Sequence, residues 1–247
     1  MAVVLEGGCR VSTMHEGVPC VSGSLKVWNQ IGKASGAKAI SLRLLEFGPG
    51  KSPPLRNHSC DEVFYLLEGA CTVAIDDNAY ELGLETGVYL RPGQTLHVEN
   101  YGTDVVRFVT SQCPEDVNEP EAAMAQPAQS DLPPIVKLSD RRALPTADRW
   151  YRVLVDDEIG SEQVTQFVGS IPPGRAPDHF HEYEEVLFIL RGEGRMWAGE
   201  TNTPIGPGSC IYLPRGQVHC VENTGSGELR LLGVFYPAGS PAVRYEA

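Results

Sequence analysis

The sequence predicts an all-β protein in which one β module occurs twice. Three observations carry that expectation. Short apolar runs alternate with turn signals along a chain holding 26 Gly and 19 Pro, the pattern of a barrel or sandwich. No 3.6-residue apolar periodicity is sustained long enough to build a major helix. Landmarks also recur at one spacing: His58 and His181, Glu62 and Glu185, and Gly69 and Gly192 are each 123 residues apart, which points to a duplication.

The elements follow in order. In residues 1–113 the runs AISLRLLEF, EVFYLLEG, ACTVAI, GVYL and VVRFVT read as strands. They are rich in β-branched and aromatic residues and bounded by Gly, Pro or charged turns. Residues 114–134, PEDVNEPEAAMAQPAQSDLPP, are rich in Pro, Ala and acidic residues and read as a linker. Within it EPEAAMAQ has the composition of a short helical turn. In residues 135–247 the runs VTQFVGSI, EVLFIL, GRMWAG, CIYL and LRLLGVFY are the second set of strands.

Composition narrows the function classes. The chain has 247 residues, 42% of them hydrophobic, and a formal charge of −12. That suits a packed globular protein. It disfavours nucleic acid as a partner, because a phosphate backbone demands a basic face. No apolar run approaches the roughly 20 residues of a membrane-spanning helix. The start, MAVVLEGGCR, lacks the basic region of a secretory signal. Seven cysteines, an odd number without a CxxC pair, suggest free thiols filling a sheet core in a reducing cytoplasm. There is no P-loop, dinucleotide fingerprint or GxSxG elbow.

The stretch DHFHEYEEVLFILRG, Asp178 to Gly192, carries the chemistry. Residues at i and i+2 share one face of a strand. His179 and His181 therefore point the same way when extended, and Glu185 follows on that face. Downstream, PRGQVHCVEN brings His219 on a second strand after a turn at Pro214–Gly216. Buried singly, each of these groups costs several kcal/mol or shifts its pKa. Buried together, three imidazoles and a carboxylate suit a divalent transition metal.

Both stretches together resemble the two motifs of the cupin superfamily. The first is HxHxxxE followed by six residues and then Gly, here His179, His181, Glu185 and Gly192; the leading Gly174 stands one residue nearer the first His than usual. The second is GxxxxxPxGxxHxxxN, here Gly208, Pro214, Gly216, His219 and Asn223. The resemblance extends to each half and implies a compact bicupin, two tandem double-stranded β-helix (jelly-roll) barrels. It makes His179, His181, Glu185 and His219 ligands of one divalent metal per chain, with Fe(II) favoured and Mn, Ni, Cu, Co or Zn compatible. Four protein ligands leave about two positions of an octahedral ion open to substrate or dioxygen. Glu185 is also the expected proton relay.

The first half departs from the motif. Arg56 stands where the first His is expected, while His58, Glu62 and His97 persist. A guanidinium beside a cation is unfavourable and cannot lose its proton. Arg56 is expected to pair with Glu62 or an anionic ligand. The rival reading is a three-ligand site of His58, Glu62 and His97 with Arg56 turned away. Elsewhere, Arg175, Arg191 and Arg195 are candidates for a substrate carboxylate. Gln166 and Tyr212 are candidate cavity residues, and Trp197 a candidate liner.

Three functions fit. The resemblance favours a metal-dependent dioxygenase acting on a small organic molecule. Next is a non-redox isomerase, lyase or decarboxylase in which the metal is a Lewis acid. Last is a non-catalytic binding or storage cupin. A homodimer through sheet contacts is the expected assembly.

Overall fold

A computed structural model describes residues 1–57, 59–114 and 130–242, and the backbone of 245–246. His58 and the helical turn expected in EPEAAMAQ lie outside the described residues. Every strand expected from the apolar runs is present. The sequence reading passed over several others, among them Leu25–Ile31 and Arg149–Val155.

Each half pairs a large sheet with a small one. In the second half the small sheet has six strands and is centred on His219–Asn223, which Gly194–Ala198, His179–Phe180 and Gly174–Arg175 flank. The large sheet has eight strands, with Ser209–Leu213, Glu184–Arg191, Leu229–Tyr236 and Thr165–Ile171 adjacent in that order at its centre. In the first half a seven-stranded sheet faces one of five strands. Strand pairing crosses the sequence intervals twice. The N-terminal Arg10–Thr13 strand pairs with Ser209–Leu213, and Ile135–Lys137 pairs with Thr86–Leu90.

The apolar residues fall into three clusters. One fills the first barrel and includes Phe64, Leu66 and Phe108; another fills the second and includes Leu187, Ile189 and Phe235. The third lies between the two large sheets and draws on both halves, with Leu44, Tyr65 and Val109 packed with Val168, Val186 and Leu232. This explains why strands such as EVFYLLEG and EVLFIL are almost continuously apolar: one face fills a barrel and the other fills the seam.

The seam also carries matched polar contacts. Tyr212 donates to Glu184, whose carboxylate accepts the backbone N–H groups of Lys38 (2.9 Å) and Ala39 (2.7 Å) from the first half. Tyr89 donates to Asp61 at the equivalent place. Gly69 and Gly192 follow the equivalent long strands, with φ of +87° and +85°, a conformation that favours glycine.

Candidate metal centre

His179 and Phe180 form a two-residue strand in which His179 stands directly opposite His219. Across that pair the ring centroids are 4.6 Å apart; His181 is 4.9 Å from His179 and 5.2 Å from His219. One ligand atom from each of the three lies within 4.8 Å of the others. Carbonyls orient two of the rings. His179 Nδ1 donates to the Pro177 carbonyl at 3.0 Å and His219 Nδ1 to that of Gln217 at 2.8 Å. With Nδ1 carrying the proton, Nε2 presents its lone pair. The third ring, His181, is stacked on Tyr183 at 4.6 Å, and Tyr183 is stacked on Phe235 at 4.2 Å.

Glu185 enters from the large sheet. It is buried, stands opposite Leu213 and Phe235, and its Oε2 is 3.7 Å from His181 Nε2. Burial pushes its carboxyl up to about 8. Burial, with His179 beside it, pushes His219 down to about 3. Both shifts disfavour isolated charge, and a divalent cation would reverse the penalty on the carboxylate. Neutral imidazoles that converge, with a carboxyl beside them, are a donor set that fits such an ion.

The centre opens into a cavity of about 110 Å³ that His179, His181, Glu185 and His219 line. This is several times the roughly 10–15 Å³ that a water needs and below the roughly 300 Å³ where drug-sized sites begin. The other lining residues include Tyr151, Phe167, Ile171, Leu187, Val221 and Leu231, together with Arg149. Gly233 makes room for this wall, since a Cβ there would lie 2.3 Å from the Phe167 ring.

Several expectations are corrected. Gln166 faces the seam, where its Oε1 lies 3.0 Å from the position of a Cβ on Gly87. Phe167, its neighbour, faces the cavity, as strand alternation requires. Tyr212 likewise belongs to the seam, while Ile211 and Leu213 point into the barrel. Arg175 and Arg195 lie apart from the lining residues. Arg175 contacts Asp178 at 3.1 Å, Cys220 at 3.3 Å and the Trp197 ring at 4.2 Å. Arg195 donates to Asn202 at 2.6 Å. Cys220, Trp197 and Arg195 alternate with the inward-facing His219, Val221, Met196 and Ala198, so Trp197 does not line the cavity. Arg191 pairs with Glu228.

In the first half, Glu62 is engaged by Arg43, by Thr110 (2.8 Å) and by Gln112 (3.2 Å), not by Arg56. Arg56 is exposed opposite Thr95. His97 is half-buried, with Nδ1 3.4 Å from the Ser52 carbonyl. No disulfide joins the cysteines; six are buried and Cys20 is exposed.

Sequence reading missed Arg149, Tyr151 and Tyr183. The available signal was the alternation in RWYRVLV, which puts Arg149 and Tyr151 on one face.

Comparison with known proteins supplies the family. The cupin domain matches residues 43–111 and 167–235, more than half of the chain. The auxin-binding protein 1 of Arabidopsis thaliana is 32% identical over 83 residues, 30% of this chain and 42% of that protein. The oxalate-binding protein of Thermotoga maritima is 38% identical over 66 residues, 26% of this chain and 54% of that protein. The chain spans about half the length of these relatives. Among solved structures, a variant of the Bacillus subtilis oxalate decarboxylase superposes with a TM-score of 0.76 at 13% identity, over 92% of this chain and 77% of that one. Another structure of that enzyme, described by its Mn(II) centres, superposes with a TM-score of 0.76 over 93% and 78% at 13% identity. At that identity the likeness speaks for the fold. Two matched halves, each a large sheet facing a small one, make this chain a member of the cupin family with the bicupin fold.

Proposed function

We propose that the protein is a metal-dependent lyase of the decarboxylase type, acting on a small carboxylic acid in the second barrel. The convergence of His179, His181 and His219 beside buried Glu185, in a small and largely apolar cavity, carries this reading. A relative named for binding oxalate supports the substrate class, and the fold shared with an oxalate decarboxylase is consistent with the reaction. These four residues would hold one divalent metal, manganese or iron, which when bound supplies Lewis-acid polarisation of a substrate oxygen. The protein does the rest. The Pro177 and Gln217 carbonyls hold two imidazoles in the ligating tautomer, and Tyr183 steadies the third. The apolar wall excludes water from the carbon that loses its carboxylate. Glu185, ionised while it holds the metal, is the carboxylate that would take up and return a proton.

The dioxygenase reading uses the same centre, because three imidazoles and a carboxylate also leave positions for dioxygen on iron(II). Turnover of small carboxylic acids by manganese- and iron-loaded protein, with and without air, separates the two. Carbon dioxide release without matching oxygen uptake is expected. Oxygen consumed in proportion to substrate would replace the lyase with a dioxygenase. No turnover by either loaded form of a broad acid panel would leave a binding cupin.

A further inference from the structure

We infer that Arg149 selects the substrate of this cavity, and that the substrate is a short-chain monocarboxylate with an apolar body. The inference rests on the reading of the second barrel as the substrate site. Among the described residues that line the cavity, Arg149 is the one arginine or lysine. A tight hairpin places it. Thr146 stands opposite Arg149 across the two-residue turn Ala147–Asp148, with Ala147 at φ +53°. Tyr151, two residues on, lines the same cavity, so alternation aims Arg149 inward.

The guanidinium is held but not consumed. Asp148 accepts from Nε at 3.0 Å. Among the described residues the two terminal amino groups have no hydrogen-bond partner. That pair of parallel donors matches the two oxygens of a carboxylate. The remaining wall, from Tyr151 and Phe167 to Leu187 and Leu231, offers mainly apolar surface. A second carboxylate turned away from the metal and lying against this wall would be desolvated without a partner. An alkyl body there gains with each methylene it buries. The cavity therefore favours an acid whose one carboxylate meets Arg149 and whose body, apart from an oxygen presented to the metal, is apolar. This sets it apart from the oxalate for which two similar proteins are named. The volume of about 110 Å³ keeps the chain short.

The test is calorimetric binding of butanoate, butanamide and butanedioate to manganese-loaded protein. The wild type is compared with Arg149→Gln and Arg149→Lys, with metal content and thermal midpoint recorded for each. Butanoate should bind at least tenfold more tightly than the uncharged amide or the dianion. Arg149→Gln should lose at least tenfold in butanoate affinity at wild-type metal content, and Arg149→Lys should recover part of it. Wild-type butanoate affinity in a folded, metal-loaded Arg149→Gln protein would overturn the proposal. So would tighter binding of butanamide or butanedioate than of butanoate. Should Arg149→Gln fail to fold, the order of the three probes on the wild type decides. Protein that takes up no metal yet binds butanoate through Arg149 would sink the enzymatic reading while supporting this one.

Discussion

Glu62 and Glu185 occupy the same place in the two halves, and their neighbours differ in kind. Glu62 stands across from Gln112 and accepts from it, from Thr110 and from Arg43. Glu185 stands across from Phe235, and where the first half pairs Arg43 with Thr110, the second pairs Phe167 with Gly233. One barrel answers its buried carboxylate with a guanidinium and two neutral donors. The other surrounds it with aromatic rings and three imidazoles, an arrangement that could hold a cation. The lesson is that a duplicated fold conserves the cost of a buried charge and leaves each copy free to meet it differently.

The largest expected effect is at the imidazoles. His181→Ala should abolish stoichiometric metal binding, measured by elemental analysis of protein purified without chelator. One metal per chain in the wild type is expected. Undiminished metal in the variant would break the contrast between the barrels.

Next comes the ion pair. Arg43→Met leaves Glu62 buried without its countercharge and should cost about 3 kcal/mol in chemical unfolding. Arg43→Met with Glu62→Gln should recover most of that loss. Metal content should stay at the wild-type value in both, since these residues belong to the other barrel.

The smallest effect is a pH dependence at Glu185 in metal-free protein. Its folded value of about 8 lies above the unfolded value of about 4.3. The proton therefore stabilises the fold, fully so at low pH, and that contribution fades as pH rises towards 8. His219, with a folded value of about 3, acts in the opposite sense only below its unfolded value of about 6.5. Between about pH 6.5 and 8 His219 no longer opposes the carboxyl. There the metal-free wild type should lose stability relative to Glu185→Gln by about 1.4 kcal/mol per pH unit. Parallel curves for the two proteins would show that Glu185 is ionised without the metal.

Much of the centre was legible in the sequence because local rules act there. Histidines two apart share a strand face, and Pro214–Gly216 turns the chain so that His219 meets them. The strands EVLFIL and LRLLGVFY were legible for the same reason, being apolar between turn signals. What failed was the assignment of faces. Gln166 and Tyr212 lie on real strands but look into the seam, and no run of residues announces that both faces of a sheet are covered. The partner of Glu62 was misjudged because Arg43 comes from a strand 19 residues earlier, brought alongside only by sheet pairing.

The sequence by itself determined the repeat, the strand content and the four-residue motif of the second half, all of which depend on spacing and period. Only the tertiary structure decided which arginine reaches the cavity, which carboxylate is already paired, and that the N-terminal strand completes the sheet of the second barrel. The reason is physical: period two fixes that neighbouring side chains point apart, but which side is the interior depends on what the sheet packs against.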